Sequence, residues 1–278
     1  MERTEELTAA IHAVGLDLLD KFSSACDAMG LRYSLSSGSL LGAVRHGGFI
    51  PWDDDVDVLM PRADYDRFLA HGQDYLPEGY VLQHFTKNRY TQDHYIKIRN
   101  SNTAWILKSD VKNKGLDLGF SLDVFPIDRI EGAEAAKRLR RRAKLYMLLS
   151  RDYMPHMTYK TRLKNLRSLL VLPFSRLVGR YRANAWHEAL NQKHSHGEYT
   201  VADDCNKEHL FPISLFDEYD TILFEGKPYS CVKDKETYLR LRYGEDYMQL
   251  PPPEARVMHL AHVIDTEKSY KVYIKKGL

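Results

Sequence analysis

Apolar residues recur at helical spacing at the start of the chain: Leu7, Ile11, Val14, Leu18, Phe22 and Met29 share one face. Gly30 stands where such a helix would stop. Residues 31–36 read as a short strand entering a tight turn at Ser37-Gly38-Ser39. Residues 40–45 then make one or two helical turns before the break at His46-Gly47-Gly48. Residues 55–60 alternate strictly, the pattern of a strand with one buried face. Residues 61–71 read as a helix with proline in its first turn. Further strands are predicted over 80–85, 94–99, 103–107 and 121–125, the last ending at Pro126. Residues 221–224 and 229–232 flank Glu225-Gly226-Lys227-Pro228 as a hairpin, and 237–242 read as a short helix before Leu250-Pro251-Pro252-Pro253. This order predicts an α/β (α+β) fold, a mixed β-sheet flanked by helices.

Composition changes little: 278 residues, 44% hydrophobic and 28% charged, is ordinary for a globular protein. The first six residues lack the basic start and apolar stretch of a signal peptide. The central apolar run over 169–174 contains Pro173, and no segment is long enough to span a bilayer as a helix. Cys26, Cys205 and Cys231 are isolated, which argues against a disulfide framework or a cysteine-rich zinc site and makes a cytoplasmic location the expectation.

Charge distribution matters more than its sum. The net charge is +2, yet the 46 residues from Lys137 to Arg182 hold fourteen Lys/Arg and a single acid, Asp152. That section carries +13 and the remainder −11. It reads as helical, with Leu163, Leu166 and Leu170 on one face and Lys160, Lys164 and Arg167 on another. Pro173 interrupts it, and Phe174, Leu177, Val178 and Tyr181 resume the pattern. Such a density points to an anionic partner.

The chemistry concentrates at Ile50-Pro51-Trp52-Asp53-Asp54-Asp55-Val56-Asp57. With extended geometry from Asp53 onward, Asp53, Asp55 and Asp57 would line one face while Val56, Val58 and Met60 enter the core. Three adjacent carboxylates repel one another unless a cation offsets them, and hard divalent ions such as Mg²⁺ or Mn²⁺ take oxygen ligands. Asp123, within Ser121-Leu122-Asp123-Val124-Phe125, is a carboxylate inside an apolar strand and costs free energy unless paired or metal-bound. Upstream, Gly38 and Ser39 lie where backbone N–H groups and a hydroxyl can approach phosphate oxygens. A strand, Gly-Ser, a helix, a D-h-D strand and a later strand Asp together resemble the nucleotidyltransferase superfamily. The spacing from Gly38-Ser39 suits Asp53 better than Asp55 as the first carboxylate, and spacing alone leaves open which two of the three hold metal.

The flanks narrow the resemblance. Gly38-Ser39-Leu40-Leu41-Gly42-Ala43-Val44-Arg45-His46 followed by Phe49-Ile50-Pro51-Trp52-Asp53-Asp54-Asp55-Val56-Asp57 resembles the signature of the LicD family, which includes the catalytic domains of fukutin and fukutin-related protein. Val124-Phe125-Pro126-Ile127-Asp128 resembles its second block. Phe224-Glu225-Gly226, Tyr238-Leu239, 243–248, Pro251-Pro252 and Arg256-Val257-Met258-His259 resemble its C-terminal block. The resemblance runs from about residue 20 to 260. It implies a single LicD-like catalytic domain over 1–278 with a basic helical section inserted at about 132–190. It also implies phosphotransfer from a CDP-linked donor, commonly CDP-choline, to a sugar hydroxyl of a surface glycan or its lipid-linked precursor, such as lipopolysaccharide or teichoic acid. On that reading Asp55, Asp57 and Asp123 hold the metal, and one of these or Asp53 takes the acceptor's proton. Gly38 and Ser39 hold the donor's phosphates, and Arg45, Lys97 and Arg99 neutralise phosphate charge.

Trp52, Tyr95 and Trp105 could cradle a quaternary ammonium. His194-Ser195-His196 has a metal-like spacing but no third ligand nearby. The basic section would hold the enzyme against the anionic inner face of the cell membrane. Two alternatives remain: a nucleotidyltransferase moving a nucleoside monophosphate from a triphosphate to a small molecule or protein, and a non-catalytic nucleic-acid binder. The second is disfavoured, because it leaves the Asp strand and Asp123 without a use.

Overall fold

The structure is a computed structural model that describes residues 4–91, 93–107, 115–150, 177–193, 196–200, 209–256 and 261–275. The expected helical faces between 151 and 176, Cys205, His194-Ser195 and Val257-Met258-His259 lie outside the described residues. Among those described, seven helices and eleven strands form a mixed α/β arrangement.

Helix α1 (Glu5–Met29) is the amphipathic element read from the apolar spacing. The Thr4 side chain accepts the Leu7 N–H at its start, and Gly30 ends it at φ 62° and ψ 44°, a left-handed conformation that costs glycine little. It buries Ile11, Leu18, Leu19, Phe22, Ala25 and Cys26. After β1 (Ser34–Leu35), α2 occupies Ser37–His46. Ser37, Gly38 and Ser39 therefore belong to the first turn of that helix rather than to a separate turn before it. Strand β2 is Val56–Pro61 and α3 is Arg62–His71, with Pro61 just outside the helix instead of within it. Strands β3 (Tyr80–Gln83), β4 (Ile96–Asn100), β5 (Ala104–Ile106) and β6 (Phe120–Ile127) follow.

Five of these strands make one sheet in the order β1-β2-β6-β4-β3. Only β2 and β6 run parallel; the other pairs are antiparallel. Val58, Leu59, Met60, Ile96, Ile98, Leu122 and Val124 are fully buried within it. Strand β6 continues through Pro126, beyond the expected end at residue 125. Pairing with β4 stops at Val124 while pairing with β2 runs to Ile127, so Pro126 sits where one flank is already open and a missing N–H is tolerated. At the sheet's edge, the Gln73 side chain accepts the Leu82 N–H (2.8 Å) and donates to the Tyr80 carbonyl (3.0 Å), which occupies the exposed ladder groups of β3.

Helices α4 (Ala133–Ser150) and α5 (Arg180–Asn191) pack on each other, burying Ala135, Ala136, Leu139 and Leu190 with Ile130. Short strands β7 (Tyr199–Thr200) and β8 (Phe211–Pro212) pair beyond them. The hairpin is β9 (Tyr219–Phe224) and β10 (Lys227–Val232), closed by Glu225 and Gly226 at φ 50° and 74°, the two left-handed residues of a tight hairpin turn. It is tied to the sheet's other edge, because the Val232 N–H donates to Ser34 Oγ (2.9 Å) and Ser230 Oγ to the Tyr33 carbonyl (2.6 Å). Helix α6 (Lys235–Tyr243), strand β11 (Val263–Asp265, paired with β5) and α7 (Tyr270–Lys275) complete the chain.

Candidate active site

The carboxylates begin in a turn, not a strand. The Asp53 N–H donates to the Ile50 carbonyl (2.8 Å), and β2 starts only at Val56. His12 Nε2 donates to the Asp53 carbonyl (2.9 Å) while its ring stacks on Phe49 at 4.3 Å, so α1 holds this turn from behind. Burial alternates from Asp53 onward as expected, with Asp54, Val56 and Val58 buried and Asp53, Asp55 and Asp57 half-buried. Even so, a carboxylate oxygen from each of Asp53, Asp54 and Asp55 lies within 4.8 Å of the others. Among the described residues this is the one cluster of three carboxylates with that spacing. Burial, then the charges of Asp55 and Asp54, push the Asp53 carboxyl up to about 8.

Gly38 makes this proximity compatible with α2. A Cβ at position 38 would stand 2.5 Å from Asp53 Oδ2, well inside contact distance. Two further bonds lock α2 to β2: Ser39 Oγ accepts the Asp57 N–H (2.9 Å), and the Ser36 N–H donates to the Asp57 carbonyl (3.0 Å).

The second group forms across the sheet. In the β2/β6 register Asp57 stands opposite Asp123, and in the β4/β6 register Lys97 stands opposite Asp123 on its other side. Lys97 Nζ donates to Asp123 Oδ2 (2.5 Å), and Ser121 Oγ donates to Asp123 Oδ1 (3.1 Å). Burial by itself would lower the Lys97 pKa; the Asp123 and Asp93 carboxylates reverse this and raise it. Tyr95, raised well above its usual value by burial and then by Asp93, Asp123 and Asp57, lies among the same charges. A cavity of about 340 Å³ gathers these groups: Asp54, Asp55, Asp123, Lys97 and Arg99 face it, with Trp105 on its apolar wall.

The family profile described as LicD/FKTN/FKRP, nucleotidyltransferase domain, matches residues 30–114. That segment is similar to LicD-type nucleotidyltransferase domains. The chain is 54% identical over 56 residues to the lipopolysaccharide cholinephosphotransferase LicD of Haemophilus influenzae, covering 20% of this chain and 21% of that protein. It is 66% identical over 32 residues to the human ribitol 5-phosphate transferase FKRP, covering 12% and 6%. An uncharacterised protein of Rickettsia typhi is 43% identical over 58 residues, covering 19% and 18%. The chain thus aligns with about a fifth or less of the length of these relatives.

The sequence-selected residues do not all face one space. Asp55, Asp123, Lys97 and Arg99 line the cavity, whereas Asp53, Asp57, Gly38 and Ser39 stand around it in the turn, β2 and α2. Arg45 points elsewhere: its Nη1 donates to the carbonyls of Tyr247 (2.9 Å) and Gln249 (3.1 Å), binding α2 to the C-terminal block. Burial lowers its pKa. Of the three aromatics, Tyr95 and Trp105 reach the cavity, while the ring of Trp52 is covered by the Arg256 guanidinium at 4.2 Å.

Other residues belong to the site's framework and were not selected from sequence. Asp54 was missed because strict alternation assigns it to the core face. His12 acts on the backbone from a distant helix, which no local pattern reveals. Glu225 accepts the Phe49 N–H (3.0 Å) and packs where a Cβ at Gly48 would collide, so the hairpin holds the loop leading to the aspartates. Tyr238 accepts the Ser37 N–H (3.3 Å) at the start of α2.

Proposed function

We propose that this chain is a metal-dependent phosphotransferase that moves phosphocholine, or a similar phospho-group, from a CDP-activated donor to a sugar hydroxyl of a surface glycan or its lipid-linked precursor. The observation that carries this reading is the single cavity that joins Asp55 and Asp123 to Lys97, Arg99 and two aromatic rings. The likeness of its aspartate segment to a lipopolysaccharide cholinephosphotransferase supports the same activity.

The donor set suits a hard divalent cation, Mg²⁺ or Mn²⁺. It is all carboxylate oxygen, and burial followed by the Asp55 and Asp54 charges raises the Asp53 pKa, a crowding that such an ion would relieve. Asp55, Asp57 and Asp123 would hold the ion, with Asp54 beside them. Bound there, it supplies charge neutralisation at the phosphoryl oxygens. The chain's own groups then divide the remaining work. Lys97 and Arg99 draw the donor's phosphates against the wall of the cavity. The first turn of α2 brings backbone N–H groups near them, and Ser39, whose Oγ already accepts the Asp57 N–H, keeps its O–H to donate. Asp53, whose carboxyl is pushed up to about 8 by burial and then by the Asp55 and Asp54 charges, would take the acceptor hydroxyl's proton as its carboxylate. Trp105 provides an aromatic face for a quaternary ammonium, while the Tyr95 ring already has Lys97 Nζ over it at 4.9 Å.

Incubating the purified protein with Mg²⁺ and a panel of CDP-linked donors tests the reading by mass spectrometry. CMP release is the expected result; pyrophosphate release from a nucleoside triphosphate instead would establish the nucleotidyltransferase alternative. Gly38→Ala provides a sharper check. Alanine in a helix ordinarily adds up to about 1 kcal/mol of stability over glycine, but here its Cβ displaces the Asp53 carboxylate. The expected outcome is CMP release reduced about tenfold or more with little change in melting temperature.

The acceptor's location follows from the basic section. On α4, Lys137, Arg138, Arg141 and Arg142 are exposed while Ala135, Ala136 and Leu139 are buried; Leu145 on α4 and Trp186 on α5 are about half exposed. No helix among the described residues is long and apolar enough to cross a membrane. We infer a peripheral contact through residues 137–182, each basic residue contributing about 1 kcal/mol near an anionic surface. Flotation with vesicles containing phosphatidylserine is expected to carry the protein upward at low salt and to fail with neutral vesicles. Absence of binding at every salt concentration would remove this role.

A further inference from the structure

A second cavity, of about 540 Å³, opens at the other end of the parallel pair, where β2 finishes at Pro61 and β6 at Ile127. The Asp57–Asp123 rung lies four residues back along those strands, or about 13 Å, so this space is separate from the candidate active site. We propose that it binds a neutral polyhydroxylated ligand, a sugar unit.

Charge comes first. Arg32, Arg62 and Arg129 line the cavity against Asp66, Asp128 and Asp217, three cations against three anions. A phosphate or nucleotide would meet no net positive field, and a cation no net negative one. The rim is also rigid. Arg62 Nε and Nη2 grip both Asp128 oxygens (2.6 and 2.5 Å), and its Nη1 donates to Glu188 Oε1 (2.5 Å). A fixed fork of this kind is pre-organised, and planar guanidinium, carboxylate and amide groups match pairs of neighbouring hydroxyls.

The decisive groups are two acceptors on one face of α5. Asn191 Oδ1 and, one turn earlier, Glu188 Oε2 are shielded from solvent and have no hydrogen-bond partner. Asn191 itself lines the cavity, and Glu188 adjoins it through Arg62. Leaving a buried acceptor unmade costs about 1–3 kcal/mol, so the site lacks donors that a ligand would bring. Hydroxyls supply them without adding charge. Phe216 and Ile213 form the apolar side on which the C–H face of a sugar ring can rest.

The inference rests on the lining of this cavity, not on the phosphotransfer reading, although a glycan acceptor long enough to reach both cavities would connect them. It is tested by saturation-transfer NMR on the full chain with lactose, maltose and N-acetylglucosamine, and with inorganic phosphate and choline as competitors. At least one sugar is expected to bind saturably. Its affinity should fall about tenfold or more in Asn191→Leu, remain unchanged in Asp55→Asn, and resist both competitors. If Asn191→Leu does not fold, Asp66→Ala, at a half-exposed lining side chain, is expected to give the same loss. The proposal is overturned if no sugar binds, if binding survives both cavity variants, if phosphate or choline competes, or if Asp55→Asn abolishes it. The last result would put the sugar in the active site. Failure of CMP release leaves this outcome untouched, so the two readings fail separately.

Discussion

Asp55→Asn is expected to lower CMP release from CDP-choline by about a thousandfold or more, equivalent to roughly 4 kcal/mol of transition-state stabilisation. Asparagine preserves the shape of the side chain and removes only its charge. Asp55 lies within reach of Asp53 and Asp54 and faces the same cavity as Asp123, so its charge contributes directly to the field that holds a divalent ion. A calorimetric titration with Mn²⁺ should show the parallel loss of metal affinity. The wild-type chain should also melt at higher temperature with added Mg²⁺, because an ion that binds only the folded state stabilises it by mass action, and the variant should lose that increment. Undiminished CMP release in Asp55→Asn would sink the metal assignment.

Acid is expected to unfold the chain through a cluster of histidines. His84, His94 and His187 meet where the segment between β3 and β4 packs on α5, with the His94 and His187 rings 4.1 Å apart. His84 and His187 are buried. Burial holds His84 and His94 down at about 4 and His187 at about 3, helped by Arg62 and Lys87 for His84, by His84 and Arg62 for His94, and by His94 for His187. Tyr65 and Glu188 border the same group, Tyr65 against the His84 ring. Each ring is neutral when folded and takes up a proton near pH 6.5 when unfolded. The unfolded chain thus binds more protons between pH 6.5 and 4, so stability is complete above that window and lost as the pH falls through it. From pH 7.5 to 4.5 the expected loss is about 2 kcal/mol per ring, read as a falling urea midpoint. His187→Gln should flatten the profile. A midpoint constant down to pH 4.5 would mean that the rings are already charged in the folded chain.

Much of this architecture was legible along the chain because its signals are local. Helix α1, its glycine stop, the Glu225-Gly226 hairpin and helix α6 each depend on residues within a turn or two of one another, so spacing and backbone preference suffice. Strand ends were less legible. Pro126 reads as a stop until the sheet order reveals that only one flank of β6 is still paired there. The aspartate segment follows its expected alternation of burial, but its anchoring is not local. The bonds that hold Asp53 come from Ile50 and from His12 on a distant helix.

The order of motifs by itself determined the fold class, the Gly38-Ser39 and Asp53–Asp57 segments, and Asp123 as a carboxylate in an apolar strand, since each is a property of neighbours in sequence. Tertiary structure alone decided what meets what. Strand register put Lys97 against Asp123 and Asp123 beside Asp57; the turn before β2 added Asp54; Arg45 went to the C-terminal carbonyls instead of the cavity. The physical reason is that pairing register, side-chain direction after a turn and the charges around a buried group are set by contacts between elements far apart in the chain. No single segment carries them.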